Sequence, residues 1–219
     1  MAELSPMMRQ YMEIKAQNPD SLLFFRRGDF YEMFFDDAKI ASEELDLVLT
    51  GRDCGQEERA PMCGVPYHSC ESYIAKLVQK GYRVAICEQT EDPAQAKGIV
   101  KREVIRVITP GTAVEESLLD EARYNFLSAV VIAKEGFAVS FADMSTGKSM
   151  VTEIFGEDAE SRLIDELNRF SPSEIITNKD IELYPALMAF LNDSGCMITL
   201  RDKNYFAIEA NERLYAIFL

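Results

Sequence analysis

Apolar positions recur along this chain with two rhythms, one helical and one strand-like, and the switches between them mark out its elements. Ser5-Pro6 reads as an N-cap followed by proline at the first helical position, predicting a helix that stops at Asn18-Pro19. The short apolar run Leu22-Leu23-Phe24-Phe25, closed by Arg26-Arg27-Gly28, predicts a buried strand. Phe34, Ala38, Ala41 and Leu45 share one helical face, which predicts a second helix over residues 30–45. Residues 47–49 are a strand candidate, and 53–66, rich in glycine, proline and charge, read as a loop. A helix over 71–80, a strand over 83–87, a loop over 91–98 and a β-branched strand over 100–109 follow. Strands alternating with helices predict a mixed α/β sheet.

Pro110-Gly111-Thr112 is the clearest punctuation in the chain. It divides a first domain, residues 1–110, from a linker over 111–123 and a second domain over 124–219. The second domain opens with strand patterns at 127–132, 137–142 and 150–155, the last two joined by a turn at Ser145-Thr146-Gly147. A helix over 158–170, a strand over 174–177, a helix over 180–192 and a strand over 197–200 complete an α/β sandwich with a mixed sheet. The chain ends on the apolar run Leu214-Tyr215-Ala216-Ile217-Phe218-Leu219, whereas termini are usually polar, so the sequence is expected to belong to a longer protein.

Composition narrows the class. With 47% hydrophobic and 27% charged residues, 219 residues can bury an ordinary globular core. No apolar run approaches the ~20 residues of a membrane-spanning helix, and the N-terminus lacks the apolar region of a signal peptide. Five cysteines without framework spacing read as reduced thiols, which points to a cytoplasmic protein. The net charge of −14 argues against general nucleic-acid binding. Its distribution weakens that objection: residues 1–110 hold 14 Lys and Arg against 18 Asp and Glu, and residues 111–219 hold 9 against 19. Lys97, Lys101, Arg102 and Arg106 make a local basic stretch, and Arg26-Arg27 a second basic point. Such runs are commonly solvated edges, so DNA contact would have to be local.

Four constellations could carry chemistry. Ala142 to Ser149, ADMSTGKS, fits a loose phosphate-binding loop, but that loop needs a helix after it, and Met150-Val151-Thr152-Glu153-Ile154-Phe155 favours a strand. A hairpin turn is expected there. Cys63, His68 and Cys70 lack the second ligand pair of a structural zinc site, and His68, the one histidine, has no nucleophile that can be placed beside it. A ribonuclease-H-type nuclease would need several carboxylates converging on metal ions, and Asp143 stands without convincing partners. The fourth constellation is Gly28-Asp29-Phe30-Tyr31-Glu32. Asp29 and Glu32 are spaced as a capping box, and Phe30 stands four residues before Phe34, so spacing alone assigns them to a helix start and its core. Yet Phe30, Tyr31, Met33, Phe34 and Phe35 cannot all face one stripe about 100° wide. At least one aromatic ring must point elsewhere.

These residues also carry a resemblance. The runs PMMRQYMEIKAQNPDSLLFFRRGDFYEMFFDDA, APMCGVPYHSCESYIAKLVQKGYRVAICEQTEDPAQAKGIVKREVIRVITPGT and FADMSTGK resemble the N-terminal portion of the bacterial MutS family. The resemblance is most specific through residue 112. It implies a mixed-sheet mismatch-binding domain followed by a ribonuclease-H-like connector domain without nuclease activity of its own. By the same resemblance, Phe30 enters the minor groove of mismatched double-stranded DNA as a wedge and Glu32 hydrogen-bonds the displaced base. Arg27, Arg52, His68, Lys97 and Arg102 fall at positions expected to contact the DNA backbone, and Tyr31 is expected in the core. The connector is expected to meet MutL. ATP and Mg belong to an ATPase domain elsewhere in such proteins, which act as homodimers; residues 1–219 alone are expected to be monomeric, to bind DNA weakly and not to hydrolyse ATP.

Overall fold

The computed structural model describes residues 4–91, 98–114, 124–133 and 135–206. The chain divides into two units, Met1–Thr109 and Pro110–Leu219, each built on a mixed sheet with helices against it. Among the described residues, no helix is long and apolar enough to cross a membrane.

In the first unit, α1 (Pro6–Gln17) is followed by the hairpin of β1 (Ser21–Arg27) and β2 (Phe30–Phe34), and then by α2 (Phe35–Leu45). The antiparallel pair β3 (Thr50–Arg52) and β4 (Ala60–Pro66) leads through a 3-10 turn, Tyr67–Ser69, into α3 (Cys70–Gln79). Strands β5 (Arg83–Gln89) and β6 (Arg102–Ile108) complete a six-stranded sheet of order β3-β4-β2-β1-β5-β6. Only β1 and β5 run parallel. α1 lays Met8, Tyr11 and Ile14 against Leu23, Phe25 and Phe34 on one side of the sheet. α2 and α3 bury Ala38, Ala41, Leu45, Ile74, Leu77 and Val78 and pack on β4, β2 and β5. A central strand with cover on both faces can be apolar at successive positions, which explains the unbroken burial of Ser21 to Phe25 in β1.

Five local expectations need correction. The helix expected over 30–45 starts only at Phe35, because residues 30–34 form β2. Their period is two: Tyr31 and Met33 share one face, and Phe30, Glu32 and Phe34 the other. The chain switches from strand to helix at Phe35, whose φ of +54° is a sparsely populated conformation for a bulky side chain, and its ring packs beside Tyr11. With no helix start at Asp29, the Asp29–Glu32 capping box does not form. Residues 47–49 are not a strand; pairing begins at Thr50, and the second half of the expected loop 53–66 is β4. Ser5 makes no side-chain cap, and its backbone N–H donates instead to the Cys54 carbonyl at 2.7 Å.

The second unit is an antiparallel meander of β7 (Phe126–Ala133), β8 (Gly136–Asp143) and β9 (Ser149–Phe155), extended through α4 (Ala159–Phe170), β10 (Glu174–Thr177), α5 (Pro185–Ser194) and β11 (Met197–Leu200). The sheet order is β11-β10-β7-β8-β9, with β10 parallel to both β7 and β11. Phe126, Val130, Phe137, Phe141 and Ile175 form a core with Leu163 and Leu167 of α4 and Leu187 and Leu191 of α5. The helix expected over 180–192 divides into a 3-10 turn, Lys179–Leu183, and α5, because Pro185 cannot continue a preceding turn and instead sits at the first position of a new helix. The molecule is thus α/β, with two mixed sheets.

Candidate nucleic-acid interface

The β1–β2 hairpin turns tightly. Arg27 pairs with Phe30, leaving Gly28 and Asp29 at the tip, and Gly28 adopts the φ of +57° that glycine takes at no steric cost. The tip is tied down by two further hydrogen bonds. The Tyr67 N–H donates to the Asp29 carbonyl at 2.9 Å, and Arg26 Nε donates to the Gly28 carbonyl at 2.6 Å. The Arg26 guanidinium lies 3.6 Å from the centre of the Tyr67 ring and 3.7 Å from a Glu88 carboxylate oxygen. Tyr31, on that same face, donates its hydroxyl to Glu88; burial, with Glu88 next, raises its pKa. Tyr31 lies in the core, 5% exposed.

Phe30 stands at the edge of this braced turn with 47% of its surface exposed, although the remaining four residues of β2 are buried. Two residues on, and on the same face, Glu32 is 8% exposed. Two residues further, Phe34 lies wholly in the core against Tyr11. One strand face therefore runs from solvent through a carboxylate to the core. Arg27 Nη1 lies 3.0 Å from Glu32 Oε1, and Arg52 Nη1 lies 3.1 and 3.2 Å from the two carboxylate oxygens. The strands bring together Phe30, Glu32, Arg27 and Arg52. His68 is exposed on the turn after β4, its ring edge-on to Tyr67.

Arg102 is placed differently. It is 9% exposed, and its guanidinium donates to the Arg26 carbonyl at 2.7 Å, to Gln10 Oε1 at 2.9 Å and to the Val100 carbonyl at 2.9 Å. It also lies 4.8 Å from the centre of the Phe25 ring. Arg102 is expected to contact a DNA backbone, and here its Nε and Nη1 donors are engaged inside the unit. Lys97 lies outside the described residues.

The other candidate chemistries have geometries of their own. Residues 143–149 turn β8 back into β9, and the helix a phosphate-binding loop requires does not follow. Asp143 organises this turn: its carboxylate accepts from the N–H groups of Ser145 at 2.8 Å, Thr146 at 3.2 Å and Asn125 at 3.2 Å, and from Ser145 Oγ at 2.6 Å. Burial acts to raise its pKa, but the Ser145, Thr146 and Asn125 hydrogen bonds outweigh it and hold the carboxyl below its ordinary range. Cys54 and Cys63 donate their thiols to the Glu58 and Ala38 carbonyls, at 3.2 and 3.4 Å. Sequence reasoning missed the Arg26–Tyr67 stack and the two arginines on Glu32. The alternation of Phe30, Glu32 and Phe34 was the available signal for the second.

Comparison with known proteins agrees along the chain. The family model of MutS domain I matches residues 5–117, and that of MutS domain II matches residues 125–218. The DNA mismatch repair protein MutS of Acetivibrio thermocellus is 52% identical over 203 residues, covering 93% of this chain and 22% of the relative. That of Clostridium novyi is 48% identical over 211 residues, covering 96% and 23%. That of Alkaliphilus oremlandii is 57% identical over 176 residues, covering 80% and 20%. The chain spans about a fifth of the length of the curated relatives it matches.

Proposed function

The chain belongs to the MutS family, spanning its domains I and II, and on that premise we propose that its first unit recognises mispaired or unpaired bases in duplex DNA and so initiates mismatch repair. The observation that carries this reading is the exposed Phe30 ring, held at a hairpin tip braced by Arg26 and Tyr67. An apolar wedge in the minor groove must separate a pair of stacked bases, at a cost of roughly a few kcal/mol that is least where pairing is already defective. A wedge on a yielding support would move aside instead of opening the stack. Selectivity then follows from the deformability of the DNA itself. Glu32, on the same strand face, accepts a hydrogen bond from the base that Phe30 displaces.

Arg27 and Arg52 lie on Glu32, His68 is exposed on the turn after β4, and all three bring positive or polar groups toward the phosphates. Arg102 supports the hairpin from within. The second unit acts as the connector, relaying recognition toward MutL and toward an ATPase that uses ATP and Mg; that work falls to the full-length homodimer. The phosphate-binding-loop and nuclease alternatives have no comparable support, since residues 143–149 are a hairpin turn and Asp143 is engaged in shaping it.

The test is fluorescence anisotropy of the full-length protein with G·T-mismatched and fully paired duplexes. Phe30→Ala is expected to abolish the preference for the mismatch while leaving the melting temperature nearly unchanged, because the ring is half exposed. A variant that keeps its mismatch preference refutes the assignment.

A further inference from the structure

A carboxylate is a poor group to present to DNA, because phosphates repel it and a flexible side chain would turn away. The surroundings of Glu32 answer both difficulties. Arg27 reaches it from β1, the strand directly paired with β2. Arg52 reaches it from β3, two strands away, across β4. Gly64 stands opposite Glu32 in the β2–β4 register, and Arg52 Nη1 also lies 3.9 Å from Met62 Sδ of β4. Arg52 Nη1 bridges both carboxylate oxygens and Arg27 holds one of them. Arg102 lies near enough to feel the charges of both Arg27 and Glu32.

We propose that Arg27 and Arg52 are positioning residues for Glu32: they fix its carboxylate and offset its charge so that it can stand in a DNA groove. The inference rests on Glu32 being the base contact. Two guanidinium groups around one carboxylate offset its charge while its remaining lone pairs still offer an acceptor to a base. The geometry also fixes the carboxylate before DNA arrives, so less side-chain freedom is lost on binding. This role differs from that of an independent phosphate contact. A phosphate contact acts whether or not Glu32 is charged, whereas a positioning residue acts only through the carboxylate.

A double-mutant cycle in the full-length protein separates the two. Affinities for G·T-mismatched and fully paired duplexes are measured for the wild type, Arg27→Met, Glu32→Gln and the double variant, each over a range of salt. Arg27→Met is expected to weaken mismatch binding about tenfold when Glu32 is present, the scale of one charge-assisted hydrogen bond, and less than about twofold on the Glu32→Gln background. Arg27→Lys, which keeps the charge, is expected to restore most of the loss. Arg52→Met runs through the same cycle and keeps the test intact should Arg27→Met disturb folding. Equal losses on both backgrounds, each with the salt slope reduced by about 0.9, identify an ordinary phosphate contact and overturn the proposal. If the cycle is additive while Glu32→Gln alone still lowers the mismatch-to-homoduplex ratio, only the positioning role fails. If Glu32→Gln leaves that ratio unchanged, the base-contact reading fails and the inference falls with it.

Discussion

Replacing Arg102 with methionine separates a structural arginine from a DNA-contacting one. The guanidinium makes three hydrogen bonds, to Arg26 O, Gln10 Oε1 and Val100 O, at 2.7 to 2.9 Å. Through them it joins β6 to β1 and α1. A hydrogen bond to a charged group contributes about 1.5–3 kcal/mol, but the methionine stem keeps some packing over Phe25 and water can reach some of the site. A net loss of about 3 kcal/mol follows for the three together, well below their simple sum. In a domain of this size each kcal/mol shifts Tm by about 4–8 °C, so the first unit should melt some 12–24 °C lower. The sequence has no tryptophan, so hydrogen exchange at the β1 and β5 amides is the suitable probe, and it reports the first unit apart from the second. Below its melting point the variant should bind DNA with an unchanged salt slope. A variant that melts like the wild type but loses about 0.9 from that slope would show Arg102 on the phosphate backbone and refute the structural account.

Two further outcomes follow from the buried ionisable groups. Burial pushes the Cys63 thiol up to about 11 and the Cys87 thiol up to about 12, against an unfolded value of about 8.5. The native state favours the neutral thiol, so its contribution is complete below about pH 8.5 and is lost as pH rises toward the folded values. The urea midpoint should therefore fall between pH 8.5 and about 11, and a midpoint independent of pH over that range would contradict the burial of these thiols. Asp143→Asn keeps one oxygen acceptor for the 143–149 turn and is expected to cost about 1–2 kcal/mol in the urea stability of the second unit. Magnesium-dependent DNA cleavage by the wild type that vanished in this variant would revive the nuclease reading instead.

Most of the fold was legible because its signals are local. Pro6, Asn18-Pro19, Pro110-Gly111 and the β-branched runs announce boundaries without reference to distant residues. The misread segment, residues 30–34, shows where that stops. Phe30 and Phe34 satisfy a helical spacing of four and also a strand spacing of two, and five apolar or aromatic residues in six positions satisfy many patterns at once. What decides for a strand is pairing with β1 on one side and β4 on the other, which no local pattern contains. The burial of Arg102 escapes a local reading for a related reason. Its neighbours in sequence are charged and look like a solvated edge, while its burial depends on Gln10 and Arg26, 92 and 76 residues away.

Placing Phe30 and Glu32 on a strand, not at a helix start, changes the physical reading of the pair. At a helix start, Glu32 would be engaged with backbone N–H groups and Phe30 would turn with the first, frayed turn. On a strand, alternate residues stand on one face about 6.6–6.8 Å apart, close to two base-pair steps of about 3.4 Å. A ring and a carboxylate at that spacing can address levels two steps apart in one base stack without either side chain reaching back over the other. The strand also couples them rigidly, since β2 is hydrogen-bonded on both edges and Phe34, two residues further, is anchored beneath α1. On the proposed reading, any force that DNA exerts on the Phe30 ring is passed along β2 to the core of the first unit. Resistance of that kind is what the proposed wedge needs, and under that proposal the aromatic excess of this segment has a mechanical purpose beyond packing.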